Sequence, residues 1–477
     1  MLFRISKFLL YLVPFSVVIV YSGTLFPFIV GKYIFFRVVV ELALIFFLLG
    51  WAKAQTNRDL TRTNTESQHK SVFSLCKSAL VVAMAVFVLI FLLAGFFGYN
   101  PSASFWSNFE RGEGSFQMLH FFVFFILLIL LFKDKESWRK LFIVSIIVAS
   151  LVILYGVAAS LKYVDAEMIG NEFTGQGGFF YQTFNKFIGQ NFSASSFRFA
   201  GSLGNPAYLG TYLIFIIFYA LYLITELKRK KVFRYILIGL TAVFIIFLFL
   251  SGTRGAFLGL GAAVLAGLFY LFSILPSGWL RKTILSFLIV LIISSSLGFI
   301  FRQSIPILNN RIFNISFLSE TFQTRLLLWH QSVKAFNERP ILGWGPENFQ
   351  VSFEKNYNPY FRVWFDRAHN IFFDYLVFAG ILGLLSFMAI FVVYYRQFFK
   401  TRTYADETRT NTERSQYESV LSPYESALLF SLPIAYLVQG LVLFDVLPIY
   451  INLFLFLAFA VYKFQAPSTK LQINSND

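Results

Sequence analysis

Apolar residues along this chain come in blocks of about twenty, separated by short polar stretches, with no sustained two-residue alternation. Twelve blocks stand out, at roughly 9–30, 33–51, 78–98, 117–132, 141–161, 205–225, 235–251, 256–275, 283–300, 371–394, 425–444 and 447–463. About twenty apolar residues wound as a helix match the thickness of a bilayer's hydrocarbon core. The pattern predicts an all-α polytopic membrane protein of about twelve transmembrane helices. It divides the chain into spans one to nine with short loops (1–300), a long polar loop (301–370), spans ten to twelve (371–463) and a polar tail (464–477). The first block follows Arg4 and Lys7 and lacks a small-residue cleavage site, so it reads as a retained span and not a signal peptide.

Composition sharpens this picture. Of 477 residues, 57% are hydrophobic and 20% aromatic, while 13% are charged, about half the share of a soluble domain. The single cysteine, Cys76, excludes an intrachain disulfide and CxxC-type metal sites. A net charge of +16 raises the question of nucleic acid, but the lysines and arginines cluster in alternate short loops. Lys133, Lys135, Arg139 and Lys140 lie after span four; Lys228, Arg229, Lys230, Lys231 and Arg234 after span six. Arg281 and Lys282 precede span nine, and Arg396, Lys400 and Arg402 follow span ten. Positive-inside bias then predicts cytoplasmic termini. Membrane lipids are expected partners and nucleic acid is not.

The other side receives the 99–116 loop, an aromatic- and Gly-rich loop at about 162–204, the turn Ser251-Gly252-Thr253-Arg254-Gly255, and the 301–370 loop. Within the last, Phe322, Leu326, Trp329, Val333 and Phe336 recur at helical spacing. This predicts an amphipathic helix ending at Pro340, either a lid packed on the bundle or a substrate contact. One internal repeat, Thr61–Leu80 against Thr408–Leu428, falls in two expected cytoplasmic loops. It reads as a polar insert, with a docking motif for a cytoplasmic partner as the alternative.

Candidate chemistry gathers around Asp366 to Gly383. His369-Asn370 closes a polar loop just before span ten, which puts an imidazole at the membrane boundary. Gly380 and Gly383 follow on one helix face, where small residues let another helix approach closely. A lone rim histidine is commonly structural; its company argues otherwise. Arg198, before span six, and Arg254, between spans seven and eight, sit beside glycines at membrane depth, where charge is costly and tends to mark function. Guanidiniums suit a diphosphate, though snorkelling to headgroups also explains them. Arg325 lies off the apolar stripe as a further phosphate or glycan contact; Arg339, Arg362 and Arg367 are less distinctive. Arg37 and Glu41 are expected to neutralise each other one turn apart, and Asp374 and Asp366 are candidate orienters of His369. No GxxxxGK[ST], Asp-x-Asp, GxSxG or metal-ligand cluster occurs.

In order, Arg198-x-x-Gly201 running into Asn205-Pro206, Ser251-Gly252-Thr253-Arg254-Gly255, Arg325 to Gly345 with Trp329, and His369-Asn370 followed after nine residues by Gly380-x-x-Gly383 resemble the motifs of the bacterial O-antigen ligase and polymerase superfamily. The resemblance covers roughly 190–394. It implies metal-independent, inverting glycosyl transfer from an undecaprenyl-diphosphate-linked glycan outside the cytoplasmic membrane, with no cofactor, on a fold like that of other lipid-dependent glycosyltransferases. His369, Arg198 and Arg254 would be catalytic; Arg325, Asn370, Asn205 and Trp329 would bind substrate. The acceptor, whether lipid, glycan or protein hydroxyl, is open, and with it the choice between ligase, polymerase and protein O-oligosaccharyltransferase. The short tail after Lys463 disfavours the larger protein-glycosylating relatives. From another class, twelve spans also suit a transporter, but no inverted repeat or matched pair of broken helices is evident.

Overall fold

The computed structural model describes residues 1–24, 26–56, 78–108, 111–160, 198–227, 230–300, 320–361, 364–411 and 421–464. The first copy of the internal repeat lies largely outside these residues, as do the middle of the second copy (412–420), Arg362 and most of the 162–204 loop. The described residues form fifteen α-helices: α1 (Leu2–Leu12), α2 (Val30–Thr56), α3 (Ala79–Phe96), α4 (Pro101–Trp106), α5 (Ser115–Leu131), α6 (Lys135–Ser160), α7 (Pro206–Glu226), α8 (Lys231–Leu250), α9 (Arg254–Ile274), α10 (Trp279–Ile300), α11 (Glu320–Glu338), α12 (Phe349–Lys355), α13 (Ile371–Asn411), α14 (Pro423–Gly440) and α15 (Leu447–Phe464). The protein is an all-α polytopic membrane protein. Among the described residues eight helices are long and apolar enough to cross a membrane: α2, α3, α6, α7, α8, α9, α13 (over Ile371–Arg402) and α15; α5 is a shorter apolar helix.

Helices apolar on every side occupy the centre, as a helix without a polar face must. Most residues of α7 and nearly every residue of α15 are buried. Aromatic rings fill the space between them and their neighbours: Phe142 of α6 stacks on Tyr219 of α7 at 4.5 Å, and Phe121 of α5 meets Tyr450 of α15 at 5.0 Å. By contrast α8, α9 and α10 present exposed Ile236, Ile246, Leu258, Phe269 and Phe287, an apolar surface suited to lipid.

The first predicted span is not one helix. α1 stops at Leu12 and a 3-10 turn, Val13–Val17, follows with Pro14 at its start. Proline has no N–H and its ring crowds the preceding turn. The carbonyls left without helical partners are taken up from elsewhere: the Lys32 ammonium donates to the oxygens of Val17 and Ile19, both at 2.6 Å, and Ser202 Oγ donates to Val17 O at 3.2 Å.

A second break determines where the site lies. Inside α13 the backbone leaves helical geometry at Ala379 and Gly380, the latter with φ 62° and ψ −159°, a region open essentially to glycine alone. The break frees main-chain groups on both sides, and the Pro340–Gly345 segment fills them. Trp344 N donates to Val377 O at 2.8 Å and Gly345 N to Phe378 O at 3.0 Å; Ile381 N donates to Pro340 O at 2.8 Å. The expectation of a close helix–helix approach at Gly380 is thus corrected: what approaches is loop backbone, and a Cβ on Gly380 would lie 2.3 Å from Ile341 O.

The amphipathic helix forms as α11, but its buried face differs from the predicted stripe. Leu328, Gln331, Ser332 and Ala335 are buried, while Leu326 and Val333 are 41% and 40% exposed. Hydrogen bonding chooses the face: Gln331 Nε2 donates to Asn356 O at 2.5 Å, and Trp344 Nε1 donates to Ala335 O at 2.8 Å.

Candidate active site

The strap Asp366–Asn370 enters α13 under tight backbone control. Asn370 is the helix cap: its Oδ1 accepts from Phe372 N at 2.9 Å, and its Nδ2 donates to Leu441 O, after α14, at 3.0 Å. Both peptide groups of Ala368 are held by side chains. Ala368 N donates to Asp374 Oδ1 at 2.7 Å, and Trp329 Nε1 of α11 donates to Ala368 O at 3.1 Å. The Trp329 ring stacks on Phe373. Asp374 therefore orients the strap, not the imidazole itself.

Between these anchors His369 takes a left-handed conformation, φ 54°, which histidine adopts more readily than most residues. Its half-buried ring lies edge to face with Phe365 and Phe444, at 5.5 and 5.0 Å. Nδ1 lies 3.3 Å from Arg367 O. A carbonyl only accepts, so in the neutral ring Nδ1 carries the hydrogen and Nε2 the lone pair. Burial, helped by the charges of Arg325 and Arg111 and opposed by Asp366, pushes the imidazole down to about 4. At neutral pH the ring is unprotonated and able to accept a proton.

The guanidiniums arrive from three segments. Arg198 Nε donates to Ser251 O and its Nη2 to Thr253 Oγ1, both at 3.0 Å, so the first arginine motif is tied to the turn carrying the second. Gly252, with φ 60°, lies under that side chain: its Cβ position is 3.5 Å from Arg198 Cγ. Arg254 opens α9 and is exposed. Its neighbour Gly255 packs on the end of α14, where a Cβ would lie 2.5 Å from Val442 Cγ2. Arg325, half-buried on α11, is close enough to Arg198 for that charge, after burial, to lower its proton affinity, and it acts in the same sense on His369. Among the described residues the side chains of Arg254 and Arg325 have no hydrogen bond or ion pair. Asn205, like Asn370, is a helix cap: its Oδ1 accepts from Ala207 N at 2.8 Å at the start of α7. Of the expected substrate contacts, Asn205, Asn370 and Trp329 are thus engaged in holding the site together, and Arg325 is not.

Sequence reading named Asp366 and Arg367 but missed their charge partners, Arg111, Glu113 and Glu347. Arg111 pairs with Asp366. Arg367, buried, bonds Glu347 Oε1 at 2.5 Å and Glu113 Oε2 at 3.0 Å. Burial opposes the charge on Arg367, but Glu347 and Glu113 outweigh it and raise its proton affinity. Burial also pushes Glu113 up to about 7, against the pull of Arg367 and Arg111. A clue was present in Arg111-Gly112-Glu113 and Asp366-Arg367, charges at the edges of aromatic segments. One pairing is corrected: Arg37 does not neutralise Glu41 but donates to Gln117 Oε1 at 2.6 Å and Gly112 O at 2.8 Å, while Glu41 meets His120 Nε2 at 2.8 Å.

An all-helical membrane bundle in which a half-buried histidine lies within range of the Arg325 and Arg111 charges, and Arg325 within range of Arg198, defines a class, the integral membrane proteins with a polar site among their helices. Residues 239–388 match the family model described as O-Antigen ligase, and over this segment the chain is similar to the O-antigen ligase family of glycosyltransferase-like membrane enzymes. The match runs from α8 into α13 and takes in Arg254, Arg325, Trp329, His369 and both glycines of the histidine motif; Arg198 and Asn205 precede it. Comparison with curated proteins gave no match.

Proposed function

We propose that this protein transfers a glycan from undecaprenyl diphosphate to an acceptor hydroxyl, with inversion and without a metal ion, at the outer face of the cytoplasmic membrane, both termini being cytoplasmic. The observation that carries this reading is a chain of polar groups that runs from Arg198, bonded to the Thr253 hydroxyl next to Arg254, through the charge of Arg325 to the His369 imidazole. His369 Nε2 takes the proton of the acceptor hydroxyl as the oxygen attacks the anomeric carbon. The bond from that carbon to the diphosphate oxygen breaks, and its electron pair leaves with the lipid diphosphate. Guanidiniums fixed where that charge grows stabilise it in a poorly solvated site. The acceptor decides between ligation to a lipid-borne core, chain polymerisation and transfer to protein.

The test uses purified protein in detergent, an undecaprenyl-diphosphate-linked oligosaccharide and candidate acceptors, with release of lipid diphosphate as the readout and no added metal. Wild type should transfer, and the acceptor that is glycosylated names the enzyme. His369→Ala, Arg198→Ala and Arg254→Ala should fold and lose activity, His369→Ala by about 10²–10⁴-fold. Full activity in folded His369→Ala would sink the assignment of the base.

A further inference from the structure

We propose that Arg111 is a positioning residue for His369, locking the loop after α4 to the histidine strap through Asp366 and fixing Phe444, whose ring meets the edge of the imidazole. The functional weight of this role rests on His369 acting as the base assigned above. Arg111 Nε pairs with Asp366 Oδ2, and both side chains are largely buried, at 12% and 16% exposure. The guanidinium carbon lies 4.8 Å from the centre of the Phe444 ring, and that ring lies 5.0 Å from His369, nearly perpendicular to it. The Tyr208 phenol, in the first turn of α7, lies beside the same guanidinium. Arg111 is itself presented by a turn in which its N–H donates to Asn108 Oδ1 at 2.9 Å. One side chain thus touches the strap, the loop between α14 and α15, and α7. A flat guanidinium can pair with a carboxylate in its plane while stacking on a ring, which an ammonium cannot do.

The pair also sets the charge around the imidazole. The groups facing His369 are Arg325 from α11, Arg111 from the loop after α4, and Asp366 with the Arg367 carbonyl from its own strap; Phe365 and Phe444 contribute uncharged rings. With Arg111 in place the Asp366 carboxylate is offset. Without it, a bare carboxylate three residues from the imidazole would draw a proton onto it.

The experiment follows carbethoxylation of His369 by diethyl pyrocarbonate in the purified full-length protein, reading the His369 peptide by mass spectrometry across pH 4–8. Neutral imidazole reacts and imidazolium does not, and no substrate is needed. In wild type the reaction should fall away only near pH 4. In Arg111→Gln the midpoint should rise by about one unit or more; in Arg111→Gln/Asp366→Asn it should return toward wild type. A midpoint unmoved in folded Arg111→Gln would falsify the proposal, because a merely structural side chain would change the yield of folded protein and nothing else. Should Arg111→Gln not fold, Asp366→Asn decides: with Arg111 left uncompensated, labelling at pH 4 should rise up to about twofold, and unchanged or reduced labelling overturns the idea. A shifted midpoint in a protein that transfers no glycan would count against the glycosyl-transfer reading and leave the Arg111 role standing.

Discussion

At the scale of the residue, two opposite solutions to buried charge lie within one strap. His369 avoids charge: phenylalanine rings and neighbouring guanidiniums leave it neutral. Arg367, two positions earlier, keeps its charge by binding two carboxylates. Three acids, Glu113, Glu347 and Asp366, then face two cations, Arg111 and Arg367, and the surplus falls on Glu113, which burial pushes up to about 7. The sign follows from linkage. A carboxyl whose folded value is raised favours folding while protonated, so its contribution is fully present below the unfolded value of about 4.5 and is lost as pH rises through about 7. Glu113→Gln, a neutral isostere, should therefore flatten the fall in thermal stability between pH 5 and 8 and unfold no lower than wild type at pH 8, as read by differential scanning fluorimetry in detergent. A steeper fall in the variant would show that Glu113 is ionised in the fold. His369, Arg198 and Arg254 stand out as candidates in the sequence because a polar residue beside an apolar block is conspicuous. The partners of Arg367 were not, because Glu113 lies 254 residues away and only folding brings it near.

At the scale of the element, helix ends and breaks place the site. Asn370 and Asn205 cap α13 and α7, as Asn before an apolar run predicts. The role of Gly380 could not be read this way. Its spacing from Gly383 is the same whether the helix continues or breaks, and the break exists only because Pro340–Gly345 is there to satisfy it. Gly380→Ala should cost about 1–3 kcal/mol from backbone strain alone, with more from the clash at Ile341 O, and should abolish transfer by loosening α11 and the strap together. Gly261→Ala, where a Cβ meets nothing within 4 Å, should leave thermal stability unchanged or slightly raised. Equal stability of the two variants would show that the docked loop does not depend on the break. The buried face of α11 belongs to the same scale: periodicity finds the helix, but bonds to Trp344 and Asn356 choose which side packs.

At the scale of the whole molecule, the distribution of lysine and arginine gives an orientation open to direct measurement. With Cys76 replaced by serine, a cysteine at Tyr357 should react with an impermeant maleimide added to intact cells. A cysteine at Lys400 should react only after permeabilisation. The reverse pattern would invert the topology and put the site on the cytoplasmic side. The number of apolar blocks, their length and the positions of the family motifs were fixed by the chain alone, because the hydrocarbon thickness of a bilayer and the 1.5 Å rise of a helix leave little choice of what a block of twenty apolar residues becomes. Tertiary structure alone decided which charges pair, which helices break and which face of α11 is buried. Each of these is a matter of satisfying a polar group by a partner distant in sequence, and the pattern of apolar and polar positions along a chain carries no record of that partner.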